Sequence, residues 1–395
     1  MTRRSDPARA RNFASVLQEI FAEPGRSRKD IANAIGISAA SVTSIAASLL
    51  EHRLISESAP VAAGQGRPRV PLSVDTDSNL VMGIHLGPRV TGIVLTGLDG
   101  VAKASVLVPH SGMTAAEAFE LVIAQAETLV ADHADGRPVL GTGVATGGIV
   151  DREQGLIVEN AGAGWSQVPA QRMLEALPQP LVLDNNARAA AQSELFYGQG
   201  AKESDFLLMV ITSDLGAVLV SDGQIRAGRS QHAGNIAHIQ VDAAGYPCAC
   251  GRRGCLQVMA TDEATVRRAH DLNRTDVINY GDIDRLYDAG DAQIRQLVAQ
   301  RDGYVATAAA LLFDLLDPGL LVIAGTPAER PETLAHVQRT VTEKSVQQGV
   351  AGQRVVYSSD HELSLSIFAA SIMVNEVLSS PLAFIENLQQ LVSAK

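Results

Sequence analysis

The spacing of apolar residues sets the first expectations. Phe13, Val16, Leu17, Ile20 and Phe21 fall on one face of a helix. Pro24-Gly25 interrupts it, and Ser27-Arg-Lys-Asp30 then offers a cap with an acidic third residue. That cap opens a short helix with Ile31 and Ile35 inward. Gly36 supplies a turn and Ser38 caps a third helix, which turns Val42, Ile45 and Leu49 to one side. Short helix, glycine turn and second helix form the helix-turn-helix pattern. Residues 54–57 and 70–74 predict two strands around the loop Ala62-Ala-Gly-Gln-Gly-Arg67-Pro68-Arg69, a wing tipped with two arginines. Extended guanidinium groups of this kind suit a narrow A·T-rich minor groove.

From residue 80 the pattern changes. Residues 80–86 and 92–96 read as strands, Asp99-Gly100 as a hairpin turn and 101–108 as a further strand. A helix over 114–131 and a strand over 139–144 follow. The same order returns in the strands 206–212 and 216–220 and the turn Asp222-Gly223. Two such halves facing a cleft imply an α/β fold with a duplicated core. The expected domains are a winged helix-turn-helix over 1–75, a first α/β lobe over 76–200 and a second over 201–395. The C-terminal helix is expected to return to the first lobe.

Charge divides the chain at the same place. Residues 1–75 carry ten Lys/Arg against seven acidic residues, whereas the remainder carries 22 against 36, so a net −11 protein has a basic head. Such a head on an acidic body points to nucleic-acid contact by the head alone. Ser38, Ser41, Thr43 and Ser44 are the exposed polar positions of the expected recognition helix. None is an Arg, Lys, Asn or Gln placed for bidentate base contacts. Base readout should be modest, with Arg28, Arg67 and Arg69 adding phosphate and groove contacts. A hydrophobic fraction of 46% supports a sizeable core, yet no apolar run approaches the roughly 20 residues that span a bilayer. With no apolar leader at the start, a cytoplasmic protein without membrane contact is expected.

All three cysteines lie in Cys248-Ala-Cys250-Gly-Arg-Arg-Gly-Cys255, and His238 lies ten residues before the first. Three thiolates and an imidazole complete a tetrahedral zinc site with no open position, so the zinc is read as structural.

These motifs resemble the ROK family of repressors, uncharacterised frames and sugar kinases. Ala233-Gly-Asn-Ile-Ala-His238 and the cysteine run are similar to its signature. So are Gly143-Val-Ala-Thr-Gly147-Gly-Ile-Val-Asp151, Gly164-Trp165, Leu183-Asp-Asn-Asn-Ala187 and Asp317-Pro318 with Leu321-Val-Ile-Ala-Gly325. The resemblance covers residues 80–380 and implies a two-lobed actin-like, RNase H-like fold related to sugar kinases. The head resembles that of the family's repressors through Ile35-Gly-Ile-Ser38, Ser41-Val-Thr43, Leu49-Leu50 and Gly66-Arg67-Pro68.

Three departures from the kinases bear on function. Their Asp-x-Gly-Gly-Thr phosphate loop reads His85-Leu-Gly87-Pro88-Arg89, and Pro88 lacks the N–H a phosphate would need. The second nucleotide loop places Asp214 where a triphosphate would lie. The position of the catalytic aspartate is Asn186, which cannot take a proton from a sugar hydroxyl. The sequence therefore predicts a non-enzyme without ATP. Asn185, Asn186, Asn235, His238 and Gln257 are the candidate effector residues. Amides at 186, 235 and 257, where the family has carboxylates, suggest an anionic or modified sugar such as a phosphosugar or sugar acid. The expected whole is a transcription regulator, by default a repressor of carbohydrate genes, acting as a homodimer or homotetramer on a near-palindromic operator. A regulator controlled by a protein partner and a sugar kinase with a DNA-binding appendage are the alternatives.

Overall fold

The structure is a computed structural model and describes residues 7–60, 69–213, 215–226, 228, 233–325, 330–347, 349–358 and 364–393. The chain forms two compact units, Met1–Phe196 with Leu363–Lys395, and Tyr197–Glu362. The break after Phe196 lies close to the expected boundary at 200. The head does not separate as a third unit, because it shares a core with the first lobe.

In the head, α1 (Pro7–Ala22) buries Phe13, Val16, Leu17 and Ile20. The two-residue strand β1 (Arg26–Ser27) leads into α2 (Arg28–Ile35). Ser27 and Asp30 cap it reciprocally: each side chain accepts from the other's backbone N–H. A cap of this type contributes about 1 kcal/mol. Gly36 ends α2 in the left-handed region at φ 72°. Ser38 then caps α3 (Ala39–Glu51) by accepting from the Ser41 N–H at 3.0 Å. The pair α2–α3 is bent by 118°, within the range of helix-turn-helix units. Strands β2 (Ile55–Glu57) and β3 (Pro71–Val74) follow, and the antiparallel sheet runs β1-β3-β2. Of these, β1 was missed from sequence, being too short to show alternation.

The first lobe comprises β4 (Leu80–Leu86), β5 (Val90–Thr96), β6 (Ala102–Pro109), α4 (Ala115–His133) and β7 (Val139–Thr146). A small antiparallel sheet, β8 (Ile149–Asp151), β9 (Leu156–Asn160) and β10 (Trp165–Val168), precedes α5 (Ala170–Met173), β11 (Leu181–Asn185) and α6 (Asn186–Tyr197). The second unit begins with β12 (Phe206–Ile211), β13 (Leu215–Ser221) and β14 (Gln224–Ile225). Its helices α7 (Leu256–Ala260), α8 (Asp262–Asp271), α9 (Tyr280–Asp288) and α10 (Ala292–Leu316) lead to β15 (Leu320–Gly325), α11 (Pro331–Lys344) and β16 (Val355–Tyr357). The chain then returns to the first unit as α12 (Ser364–Ser379) and α13 (Pro381–Ser393).

The two central sheets share one topology. Their orders are β11-β7-β4-β5-β6 and β14-β13-β12-β15-β16. In each, the first strand pairs antiparallel with its hairpin partner and parallel with the strand beyond a helical crossover. Asp222 and Gly223 both have positive φ, 52° and 67°, as a type I′ turn requires. The duplication seen in the sequence is therefore a duplication of connectivity.

One hydrophobic core runs from the head into the first lobe. Val16, Leu17, Ile31 and Leu49 of the head cluster with Val81, Val94 and Leu140 of the lobe and with Val374, Val377, Phe384 and Ile385 of α12 and α13. Helix α12 lies directly on the sheet. A Cβ on Gly143 would stand 1.9 Å from the Ala369 carbonyl oxygen, and one on Gly83 would stand 2.2 Å from that of Ser366. Only glycine permits that approach. At the far end of α6, Phe196 packs edge-on against Phe21 of α1 with ring centroids 5.1 Å apart.

Candidate functional site

The second unit brings His238, Cys248, Cys250 and Cys255 together, with one donor atom from each within 4.8 Å of all the others. Backbone bonds shape the loop. The Cys248 N–H donates to the Arg252 carbonyl at 2.8 Å, and the Gly254 N–H donates to that of Tyr246 at 2.8 Å. Gly254 is at φ 61°, and a Cβ there would lie 1.4 Å from the Asp242 oxygen, so no other residue can close the loop. The Leu256 N–H donates to the Ile239 carbonyl and the Gln257 N–H to that of Ala237, which joins the cysteine run to the His238 segment.

The donor set fits a tetrahedral cation. Cys248 Sγ lies 3.5 Å from His238 Nδ1, and Cys250 Sγ lies 3.6 Å from Cys255 Sγ. Zinc–sulfur bonds near 2.3 Å in a tetrahedron place sulfurs roughly 3.8 Å apart. The Arg252 backbone N–H, and after it the Arg252 side chain, bring the Cys250 thiol down to about 6. Burial, foremost, pushes the Cys255 thiol up to about 11. Without a cation, thiols this close cannot all ionise. With one, they become its ligands.

Of the candidate effector residues, two lie in the first unit. Asn186 opens α6, and its Nδ2 stands 3.3 Å from His85 Nε2 at the end of β4. Two positions taken from sequence as separate losses, in the phosphate loop and at the catalytic base, thus touch. Burial lowers the His85 pKa to about 4, leaving the imidazole neutral at neutral pH. The Asn186 amide cannot serve as a general base, and burial makes the His85 imidazole a weak one. The buried Asn186 Oδ1 has no partner among the described residues. Asn185 uses both ends of its amide locally: Nδ2 donates to the Gly148 carbonyl at 2.7 Å, and Oδ1 accepts from the Ala187 N–H at 2.8 Å.

Sequence reasoning missed Asp184. Its buried carboxylate accepts from Arg152 Nη1 at 2.9 Å and from Arg188 Nε at 2.5 Å. Arg152 also reaches Glu376 of α12 at 2.6 Å. The i,i+4 spacing of Asp184 and Arg188 was a usable signal, but the partners Arg152 and Glu376 are remote in sequence. In the second unit, Asn235 and Gln257 are exposed. Asn235 Oδ1 accepts from the Ala237 N–H at 3.2 Å.

In the head, Ser38, Thr43 and Ser44 are exposed and Ser41 is half-buried. Their hydroxyls are partly engaged: Ser38 Oγ and Ser41 Oγ are 2.8 Å apart, and Thr43 donates to the Ala39 carbonyl at 2.7 Å. Arg28 pairs with Glu57 at 2.5 Å and Arg69 with Asp30 at 3.4 Å. Exposed pairs of this kind contribute at most about 1 kcal/mol, so a phosphate can replace either carboxylate. Arg67 and Asp214 lie outside the described residues. No single helix among the described residues is long and apolar enough to cross a membrane.

Fold and site together define a duplicated, two-lobed α/β protein with a Cys₃His cluster and a helical N-terminal head. The chain belongs to the ROK family, whose model matches residues 81–376. A transcriptional regulator of Mycobacterium tuberculosis is 31% identical over 358 residues, covering 84% of this chain and 78% of the relative. The DNA-binding transcriptional dual regulator NagC of Escherichia coli is 26% identical over 388 residues, covering 93% and 94%. Among solved structures, a ROK family transcriptional regulator homologous to the E. coli MLC protein superposes with a TM-score of 0.83 at 23% identity, covering 96% of this chain and 100% of that one. At that identity the likeness speaks for the fold.

Proposed function

We propose that the protein is a sequence-specific DNA-binding transcription regulator and not a kinase, with its head acting as a winged helix-turn-helix. The observation that carries the reading is the shared core. The unit whose kinase-type positions are occupied by His85 and Asn186 is the unit whose core joins the N-terminal helices to α12 and α13. An amide at the position of the catalytic base, in the unit that shares its core with the head, suits sensing rather than turnover. Regulators among its relatives, aligned over most of their length, support the same reading.

In this account α3 enters the major groove, and Arg67 and Arg69 of the wing follow the minor groove. Arg28 would hold a phosphate. The effector is a sugar or sugar derivative contacted by Asn185, Asn186, Asn235, His238 and Gln257. Zinc at the four-donor cluster fixes the segment bearing Asn235 and Gln257. A homo-oligomer on a near-palindromic operator would be released when effector binding favours one of two states. Helix α6 offers a route for that signal, since it begins at Asn186 and ends where Phe196 meets Phe21 of the head.

The test is a pair of assays on one preparation. With MgATP and a panel of hexoses, pentoses and N-acetylhexosamines, ADP release should stay at the background rate. Fragments of the host genome should meanwhile be retained selectively. Sugar-dependent ADP release would overturn the non-enzymatic reading.

A further inference from the structure

Behind the metal loop, within the second unit, lies a cavity of about 380 Å³. That volume is within the usual range for small-molecule sites. The metal loop forms its floor through Asp242, Tyr246 and Arg253, and α8 and α10 wall it with Arg268, Asp271 and Tyr304. Asn235, His238 and Gln257 are not part of its lining, so it is separate from the proposed effector residues.

The polar groups of the cavity are unevenly satisfied. The Tyr246 hydroxyl donates to Asp271 at 2.6 Å and the Tyr304 hydroxyl to Asp242 at 3.4 Å, and Asp242 also accepts from the Ala244 N–H at 2.9 Å. Both carboxylates therefore already have donors. The arginines differ. Arg268 is only 6% exposed, yet it meets neutral acceptors alone, the Met259 carbonyl at 3.3 Å and Gln300 Oε1 at 2.6 Å. Its guanidinium lies 5.3 Å from the centre of the Tyr304 ring. Among the described residues, neither Arg268 nor Arg253 has a carboxylate oxygen within 4.0 Å. A guanidinium has five N–H donors, and Arg268 uses two of them. Burying a cation without a direct ion pair is costly: burial, foremost, lowers the Arg268 pKa, and the charge of nearby Asp271 opposes that shift only in part. An incoming anion removes that penalty and can bind bidentately.

We propose that this cavity is a second ligand site, taking a small hydroxylated anion whose carboxylate or phosphate group pairs with Arg268 and Arg253. Tyrosine hydroxyls and the two aspartates meet the ligand's hydroxyls. The site does not depend on the DNA-binding reading.

Titration calorimetry on the full-length, zinc-loaded protein tests it with four probes: gluconate, glucose 6-phosphate, inorganic phosphate and glucose. One of the two hydroxylated anions should bind at least roughly tenfold more tightly than glucose and than phosphate, and which one does identifies the anionic group. Arg268→Gln and, separately, the exposed Arg253→Ala should each weaken that binding by a factor of roughly ten or more. Arg253→Ala removes no buried group, so it keeps the test valid if Arg268→Gln fails to fold. Glucose binding as tightly as the anions would overturn the charge assignment, and phosphate binding as tightly as glucose 6-phosphate would overturn hydroxyl recognition. Absence of binding, or binding that survives both substitutions, would overturn the site itself.

Discussion

The head and the metal loop are both small segments that must be held in place, and the protein holds them by opposite means. The head is fixed by apolar burial. Its helices pour Val16, Leu17, Ile31 and Leu49 into a core completed by α12 and α13 from the far end of the chain. The metal loop buries little and is closed by four polar donors and by Gly254, packed against the Asp242 carbonyl. Many small contacts tolerate the loss of one member. A four-donor cluster does not, because each missing ligand leaves the others as crowded, partly buried thiols.

The largest expected effect is therefore on the metal side. The protein should carry one zinc per chain, measured by emission spectrometry, and Cys255→Ser should lose it. Hydrogen exchange over 238–257 should then collapse toward the unfolded rate while the head keeps its protection. Equal loss of protection in both regions would erase the contrast between them.

Next comes the surface that joins head and lobe. Gly143→Val would drive a side chain into the backbone of α12 and should destabilise the first unit by roughly 3 kcal/mol or more. Because α12 serves head and lobe alike, calorimetry should show both melting together at lower temperature. A head that keeps its own transition would contradict the shared core.

A smaller effect distinguishes the units by pH. Burial lowers the His85 pKa from 6.5 to about 4, so the unfolded chain takes up a proton that the folded one refuses. Stability of the first unit should fall as pH drops from about 6.5 to about 4 and rise again toward neutrality. His110, buried beside Thr91 and stacked on Trp165, is also lowered by burial and acts in the same direction. In urea titrations at several pH values, His85→Gln should flatten the slope without abolishing it. An unchanged slope would mean His85 titrates normally.

What was legible in the sequence follows distance along the chain. The Ser27–Asp30 capping box, the Ser38 cap and the turn at Gly36 are set by neighbours, and each is where the pattern puts it. The four clustered donors span only residues 238–255, and the spacing of cysteines and glycines suffices to read them as a candidate metal site. The duplicated sheets were visible because each half repeats the same strand–turn–strand order. Contacts closed by folding were not visible. His85 and Asn186 are 101 residues apart, and Arg152 and Glu376 are 224 apart. No local periodicity reports that α12 would lie against Gly83 and Gly143, or that it would complete the core of the head. Side-chain identity showed that the kinase groups were absent, and only the fold showed their replacements in contact.

The most direct test of the central claim is DNA binding by the purified full-length protein across the host genome, repeated with Arg67→Ala and Arg69→Ala. The account predicts a short inverted repeat whose affinity falls by roughly tenfold with the two wing substitutions combined. For the Arg69→Ala change, thermal stability should move by less than about 1 kcal/mol, because the Arg69–Asp30 pair is exposed. No enriched sequence, or binding indifferent to both arginines, would contradict it.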